Sequence, residues 1–198
     1  MAGAEPQLVV LAGPNGAGKS TFYQVFLRKS HLPFLNADVI AARTGMPSIE
    51  VARMLDAIRA DLVTQRAGFI TETVFSDPVG EKLRLLRDAV AADYDVTLIY
   101  IAVEPALSAL RVDQRVASGG HDVPRDRIAS RFKRSLENLA RAITFVTRAK
   151  LYDNSSIDEP YRLVATFERG ARTFVAGDVP RWARTIVRTR RGRATRAR

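Results

Sequence analysis

The stretch Gly13-Pro-Asn-Gly-Ala-Gly-Lys-Ser20 constrains the fold of this chain more than any other feature. It matches the pattern G-x-x-x-x-G-K-[ST] at every fixed position. An apolar run of strand length, residues 7–12, precedes it, and residues 21–28 have the composition of a helix. A strand, a glycine-rich turn and a helix in this order present backbone N–H groups and a helix N-terminus to phosphate oxygens. The sequence therefore predicts a phosphate-binding loop that holds a nucleoside triphosphate.

Residues 13–20, called the phosphate loop below, and the adjacent Thr21 form the predicted nucleotide site. Lys19 is expected to reach the β- and γ-phosphates and to take part in catalysis, while the Ser20 hydroxyl is expected to ligate Mg²⁺. The pattern does not distinguish ATP from GTP. The predicted nucleotide contacts are Gly13, Pro14, Asn15, Gly16, Ala17, Gly18, Lys19, Ser20 and Thr21.

Short β-type runs alternate with longer helical patterns along the chain, which predicts an α/β fold with a parallel sheet between helical layers. The strand candidates are residues 7–12, 34–36, 68–74, 96–103, 161–167 and 172–176. Apolar residues keep a helical step over 49–62 and again over 128–146. A chain of 198 residues, 46% of them apolar, suits one domain, which we place at residues 1–180.

Much of the net charge of +10 lies at the C-terminal end of the chain. Residues 181–198 contain eight arginines and no acidic residue, so the remainder carries +2. We expect this segment to be a solvated, disordered tail. Contact with nucleic acid through the tail is the weaker hypothesis, because the segment offers no aromatic platform for bases beyond Trp182.

Several classes of protein are excluded or disfavoured by composition. No apolar run approaches 18 residues, so we predict no membrane span, and the N-terminal residues lack the hydrophobic stretch of a signal peptide. The absence of cysteine excludes disulfides, thiolate zinc sites and cysteine nucleophiles. The composition fits a cytoplasmic protein.

The phosphate loop is compatible with a kinase, a nucleotide-driven motor or switch, and a nucleotide-binding scaffold. The strands 68–74 and 96–103 do not end in the paired acids that a motor uses to hold Mg²⁺ and position water. An Asn-Lys-x-Asp base reader, typical of switch GTPases, is also missing from the sequence. A kinase is therefore the favoured class.

A kinase needs an acceptor base and a cleft beside the phosphates. Asp38 follows the second strand candidate, and ligands collect at the carboxyl ends of parallel strands, so its carboxylate is a candidate base. A helix N-cap is the competing interpretation of Asp38. Glu72 and Thr73 lie in an apolar strand, where a carboxylate is costly unless it faces a partner or a cleft. We expect both to bind the substrate.

A cationic lid is predicted over residues 111–125 and the helix that follows. Arg127, Arg131 and Arg134 lie on one helical face, and guanidinium groups on a hinged segment suit phosphoryl transfer. A solvated basic face is the alternative. His121, beside two glycines, is either a phosphate contact or a residue that stabilises the loop.

Taken together, these motifs resemble the short members of the zeta-toxin kinase family. The resemblance spans residues 7–155 and rests on segments that come in the family's order. These segments are the phosphate loop with Thr21, Asn36-Ala-Asp-Val-Ile-Ala41, Glu72-Thr-Val-Phe-Ser76, Gly119-Gly-His-Asp-Val-Pro124 and Leu151-Tyr-Asp-Asn-Ser155.

The resemblance implies a three-layer, nucleoside-kinase-like fold with a parallel five-stranded sheet and a helical lid. It implies transfer of the γ-phosphate of ATP or GTP to a sugar hydroxyl of UDP-N-acetylglucosamine, and a neutralising antitoxin as a partner, although no residue shows one. Asp38 falls at the position of the family's catalytic base. Asp56 falls roughly at the position of a substrate-binding acid, and an exposed helix acid is the alternative interpretation of Asp56.

Arg115 and Arg131 are the best candidates for the two lid arginines, with Arg111, Arg127 and Arg134 competing. Another acceptor, such as a metabolite or a nucleic-acid end, and a nucleotide-binding interaction protein without transfer remain alternatives.

Overall fold

The computed structural model of the protein describes residues 5–117 and 125–188. Within them, seven strands form one sheet in the order β2-β3-β1-β4-β5-β6-β7. The strands are β1 (Gln7–Ala12), β2 (Phe34–Leu35), β3 (Phe69–Thr73), β4 (Asp95–Ala102), β5 (Arg148–Asp153), β6 (Arg162–Glu168) and β7 (Ala171–Val175). The α-helices are α1 (Lys19–Phe22), α2 (Ala37–Thr44), α3 (Ser48–Thr64), α4 (Glu81–Ala91), α5 (Pro105–Ala117), α6 (Arg125–Ala142) and α7 (Arg184–Arg188).

The central strand β1 pairs in parallel with β3 on one side and β4 on the other. Both faces of these strands are covered by helices, so consecutive β4 residues from Leu98 to Ala102 are buried. This is the near-continuous apolar pattern expected of a parallel sheet between two helical layers. The predicted α/β fold is confirmed.

The prediction of a five-stranded sheet was wrong, because the sheet has seven strands. The first five in spatial order are parallel, while β6 joins β5 and β7 joins β6 in antiparallel fashion. Arg169 and Gly170 connect the last two strands, and both have positive φ angles (46° and 83°). Such a two-residue turn matches the twist of a hairpin, so the pair adds to the sheet edge without a crossover helix.

Strand β5 was not among the strand candidates. Buried Ala149 and Leu151 alternate in it with Arg148 and Lys150, whose side chains reach towards solvent. The helical pattern assigned to residues 128–146 ends earlier, because α6 stops at Ala142 and a turn leads into β5. The predicted helix over 21–28 begins as α1 and continues as a π-helical segment, Tyr23–Leu27.

The folded part of the chain extends beyond residue 180, where the tail was expected to begin. Residues 181–188 form a 3₁₀ turn followed by α7, and Trp182 and Ile186 are buried in the main core. The indole N–H of Trp182 donates to the Asp153 carboxylate at 3.1 Å. The predicted tail from residue 189 onward lies outside the described residues. Within the part of the chain that the structure covers, no helix is long and apolar enough to cross a bilayer.

Candidate active site

The phosphate loop follows directly from the end of the central strand β1. Gly13 has a φ of +140°, and a Cβ atom at this position would lie 1.9 Å from the carbonyl oxygen of Ile101 in β4. Only glycine permits both the backbone angle and the approach to the neighbouring strand. The first glycine of the motif therefore sets the turn between β1 and α1.

A carboxylate from the neighbouring strand β3 faces the loop. Glu72 Oε2 accepts hydrogen bonds from Ser20 Oγ at 3.0 Å and from Asn36 Nδ2 at 2.7 Å, and Oε1 lies 3.8 Å from Lys19 Nζ. Lys19 is buried and also donates to the carbonyl of Pro14 at 3.0 Å. The predicted lysine, serine and glutamate thus form one connected group.

The register of the sheet explains why Glu72 reaches the loop. It lies opposite Leu11 of β1, and Thr73 lies opposite Ala12, the last residue before the loop. Parallel strands end at the same edge, so the end of β3 lies beside the phosphate loop. Thr73 Oγ1 accepts a hydrogen bond from the Phe75 N–H at 3.0 Å.

Asp38 lies in the first turn of α2, at the same edge of the sheet. The helix is capped by Asn36, whose side chain accepts a hydrogen bond from the Val39 N–H at 3.1 Å. The N-cap interpretation of Asp38 was therefore wrong, and the capping requirement does not explain this carboxylate.

Two cavities meet at the phosphate loop. The first, here called the phosphate cavity, has a volume of about 440 Å³; it is lined by Asn15, Gly16, Gly18, Lys19, Ser20, Thr21, Asp38, Glu72, Arg111, Asn154 and Tyr161. The second, the side cleft, has a volume of about 550 Å³ and extends away from the loop between α2, α3, the segment after β3, and α6. Asn15, Lys19, Asp38 and Glu72 line both cavities. These four residues therefore mark the boundary between the two spaces.

Two of the candidate lid arginines line the side cleft. Arg131 and Arg134 both border it from α6, and Arg134 Nε donates to the Ser76 carbonyl at 3.1 Å. Arg111 lines the phosphate cavity from α5. The side chains of Arg115 and Arg127 and the whole of His121 lie outside the described residues.

Asp56 lies in the groove between α3 and α4 rather than at the boundary of the two cavities. Its carboxylate pairs with Arg59 at 2.7 Å and with Lys82, and it is 40% exposed. Arg59 and Lys82 themselves line the side cleft. Any contact of Asp56 with a substrate in the cleft would therefore be made beside these two cations.

Arg59 was missed by the sequence analysis. The residue is 5% exposed and borders the side cleft, and its Nε donates to Thr71 Oγ1 at 2.8 Å. Burial lowers the pKa of this guanidinium, and the Asp56 charge and hydrogen bond oppose the shift. Leu55, Arg59 and Val63 follow one another at intervals of four on the buried face of α3. In the sequence, the only indication of this role was a charged residue at a position of α3 that faces the core.

Asn154 and Tyr161 were also missed as contributors to the site, although Asn154 belongs to a segment that carried the family resemblance. Both line the phosphate cavity from the stretch that joins β5 to β6. Burial raises the pKa of the Tyr161 phenol, and hydrogen bonding to Thr21, the charge of Arg111 and hydrogen bonding to Asn154 oppose the shift. The phenol is therefore neutral at neutral pH, and its O–H donates to the Gly18 carbonyl at 2.9 Å.

A phosphate loop at the end of the central strand of a parallel sheet, beside a carboxylate-lined cleft, defines a P-loop phosphotransferase of the kinase class. The zeta toxin family model matches residues 44–163, which is more than half of the chain. The chain therefore belongs to the zeta toxin family. The matched region begins after the phosphate loop, so the family match and the loop are separate observations. The predicted family and the predicted kinase class are both confirmed.

Solved structures share the fold at low sequence identity. AvrRxo1-ORF1:-ORF2 with ATP matches with a TM-score of 0.67 and 18% identity over 99% of this chain, which spans 67% of that one. The PezAT chromosomal toxin-antitoxin system of Streptococcus pneumoniae matches with a TM-score of 0.63 and 16% identity, over 96% of this chain and 86% of that one. None of the curated proteins matches the chain in sequence.

Proposed function

We propose that this protein transfers the γ-phosphate of ATP to a sugar hydroxyl, with Asp38 as the base that accepts the hydroxyl proton. The observation that carries the proposal is the position of Asp38, which lines both the phosphate cavity and the side cleft. Phosphoryl transfer requires a donor and an acceptor in line, and a carboxylate at the boundary of their two spaces can orient the acceptor hydroxyl.

The donor side follows from the phosphate loop. Lys19 and the loop N–H groups would hold the β- and γ-phosphates, and Glu72 keeps the lysine side chain near the loop through their 3.8 Å ion pair. ATP is favoured over GTP as the working substrate because the AvrRxo1 structure, which shares the fold, is a complex with ATP. GTP is the alternative phosphate donor.

The oxygen atoms at Ser20 are suitable ligands for Mg²⁺. Its hydroxyl lies 3.0 Å from a Glu72 carboxylate oxygen, and hard oxygen donors of this kind suit a cation that keeps most of its ligands from water and phosphate. No cluster of three or more His, Cys, Asp or Glu side chains that could hold a metal occurs among residues 5–117 and 125–188. When bound, Mg²⁺ would neutralise charge on the phosphates; Ser20 would hold it, and Glu72 would orient the serine hydroxyl.

The acceptor side rests on the side cleft and on family membership. Arg131 and Arg134 border the cleft from α6 and would neutralise charge on the transferring group. A cleft of about 550 Å³ accommodates a nucleotide sugar. UDP-N-acetylglucosamine is the acceptor proposed from the family resemblance, and Thr73 and Glu72 border the space where it would lie.

A neutralising antitoxin is proposed as a partner. The support is the PezAT structure, a toxin-antitoxin system that shares this fold over 96% of the present chain. Co-expression with the neighbouring open reading frames, followed by purification of the tagged chain, would recover such a partner. Recovery of the chain alone from every pair would argue against it.

The test is transfer of label from γ-³²P-ATP with Mg²⁺ to a panel of nucleotide sugars, sugars and 5′-hydroxyl oligonucleotides. We expect labelling of UDP-N-acetylglucosamine, and a fall of about 100-fold or more in Asp38→Asn, because a positioned general base contributes about 10²–10⁴ in rate. ATP affinity, measured by calorimetry, should change little. Asp61→Asn removes an exposed carboxylate from α3 and serves as the matched control.

The outcomes separate the alternatives. Label on another metabolite or on an oligonucleotide end would retain the enzyme class and replace the acceptor. Tight ATP binding without transfer by either protein would indicate a nucleotide-binding interaction protein. Full activity of Asp38→Asn would overturn the role of Asp38 as base.

A further inference from the structure

Four consecutive backbone carbonyls of the phosphate loop each accept a hydrogen bond from a side chain outside the loop. The donors come from two elements, α5 and the stretch that joins β5 to β6. The four contacts, donor first, are Ser108 to Asn15 at 2.6 Å, Arg111 to Gly16 at 3.5 Å, Asn154 to Ala17 at 3.0 Å and Tyr161 to Gly18 at 2.9 Å. The loop is therefore held through its carbonyl oxygens by two separate elements.

The orientation of a carbonyl determines that of the next N–H group. A trans peptide is planar, and its C=O and N–H bonds point in opposite directions. Carbonyls bonded to these side-chain donors therefore turn the N–H groups of residues 16–19 to the opposite side, where the Ala17 N–H also contacts the Pro14 carbonyl at 3.4 Å. The loop N–H groups are the groups that would bind phosphate.

We propose that Ser108, Arg111, Asn154 and Tyr161, here called the carbonyl clamp, are positioning residues that hold the phosphate loop in its phosphate-binding conformation before the nucleotide arrives. The proposal rests on the nucleotide binding that the proposed function requires. Its physical basis is preorganisation: a loop whose N–H groups already converge loses less conformational entropy on binding.

The donors of the clamp are themselves held in place. Ser108 is fully buried and Asn154 is 8% exposed. Asn154 contacts two segments at once, since Nδ2 donates to Ala17 while Oδ1 accepts from the Tyr161 N–H at 3.3 Å. A buried amide with both ends bonded has little freedom to rotate. The loop is thus tied to the core rather than to mobile surface groups.

Gly18 shows how closely the clamp approaches. A Cβ atom at this position would lie 2.6 Å from Asn154 Nδ2 and 2.9 Å from Tyr161 Oη, and the residue has a φ of +90°. Glycine is therefore required by the clamp as well as by the backbone angle. The motif glycine and the two clamp residues, more than 130 positions apart in sequence, depend on each other.

Tyr161 is fixed by aromatic packing. Its ring lies 5.2 Å from the Phe22 ring and 5.7 Å from the Phe26 ring, in edge-to-face geometry. Its φ of 54° is unusual for a residue with a side chain. The surrounding contacts compensate for this backbone strain and leave the phenol directed at the Gly18 carbonyl.

The test uses two ligands that share phosphates but differ in the presence of a base. Affinities for ADP and for pyrophosphate, each with Mg²⁺, are measured by calorimetry for wild type, Tyr161→Phe, Ser108→Ala and the double variant. Each single change removes one hydrogen bond and should lower the affinity for both ligands by about fivefold. The affinity of the double variant for both ligands should fall by about 25-fold, since the two donors come from separate elements and their losses should add.

Two control variants match the chemistry of these changes outside the clamp. Tyr152→Phe removes a hydroxyl from another ring packed on Phe22, at 5.4 Å, and Ser135→Ala removes a buried serine hydroxyl from α6. Both should bind ADP and pyrophosphate as wild type does. Thermal midpoints within the range of the controls would show that the clamp variants remain folded.

Equal losses of affinity for ADP and for pyrophosphate support the carbonyl clamp. A lower affinity for ADP with an unchanged affinity for pyrophosphate would overturn the proposal, because Tyr161 would then contact the adenine base rather than hold the loop. Affinities unchanged from the controls would also overturn it. Failure of the transfer assay with intact ADP binding would instead refute the proposed function and leave the clamp standing.

Discussion

Ser20 Oγ donates a hydrogen bond of 3.0 Å to Oε2 of Glu72, and this contact joins the phosphate loop to the neighbouring strand β3. The same carboxylate oxygen accepts from Asn36 at the start of α2. The loop, the strand and the helix that carries Asp38 are therefore linked by one carboxylate. Its replacement should affect the metal and the phosphates together.

Glu72→Gln keeps an oxygen that can accept from Ser20 and Asn36 but removes the negative charge beside Lys19. We expect transfer to fall at least tenfold and the Mg²⁺ concentration for half-maximal rate to rise, because the site loses a charge that favours the cation. Rates measured over a Mg²⁺ titration test this. Glu81→Gln changes an exposed acid in the first turn of α4 and should behave as wild type. An unchanged Mg²⁺ dependence in Glu72→Gln would contradict the prediction.

Arg131→Ala removes a guanidinium that borders the side cleft. We expect kcat to fall by about 100-fold while ADP affinity stays within about twofold, because the charge is needed most when the phosphoryl group is in transit. Steady-state kinetics and calorimetry give the two values. Arg141→Ala, at an exposed position near the end of the same helix, is the control. Equal kcat values for the two variants would exclude Arg131 from catalysis.

Arg59→Met should destabilise the protein by about 2 kcal/mol, because the change leaves buried Thr71 Oγ1 without its donor at 2.8 Å and removes a partner of Asp56. Urea unfolding, followed by circular dichroism, measures the free energy of unfolding. Arg53→Met removes an exposed arginine from the same helix and should change it by less than about 0.5 kcal/mol. Similar values for both variants would show that the buried guanidinium does not stabilise the fold.

Tyr100 is fully buried and shares a 2.6 Å hydrogen bond with Ser135, and burial raises the pKa of its phenol. The unfolded chain titrates near pH 10. Above pH 10 the unfolded state loses the phenol proton before the folded state does. The free energy of unfolding therefore declines as the pH rises towards the pKa of the folded state. The free energy of unfolding of wild type should fall more steeply than that of Tyr100→Phe, by about 1.4 kcal/mol per pH unit. Parallel slopes above pH 10 would refute this.

The strand candidates that succeeded were apolar or ended in clear turns. Residues 7–12 and 68–74 contain β1 and β3, and residues 96–103 cover all of β4 except Asp95; the buried faces of these strands produce near-continuous apolar runs. Strand β5 was missed because Arg148 and Lys150 interrupt its apolar residues. The candidates 161–167 and 172–176 located β6 and β7, but the five-stranded sheet implied by the family resemblance left out the antiparallel extension in which β6 pairs with β5 and β7 with β6.

The site was predicted unevenly for a similar reason. Lys19, Ser20, Asp38 and Glu72 carry local signals, namely a motif, a strand end and a carboxylate among apolar residues, and the structure brings all four together. Arg59 gave only the weak signal of a charge on a buried helix face. The roles assigned to the site residues remain predictions that the experiments above test.

The sequence by itself determined the phosphate loop, because the strand, turn and helix that form it are contiguous and their geometry follows from glycine positions and local apolar patterns. Tertiary structure alone decided what surrounds that loop. Glu72 reaches Ser20 across 52 residues, and the carbonyl clamp comes from 93 to 143 residues away. Such contacts depend on which strands pair and in what register, and those choices are made by burial over the whole chain rather than by any local segment.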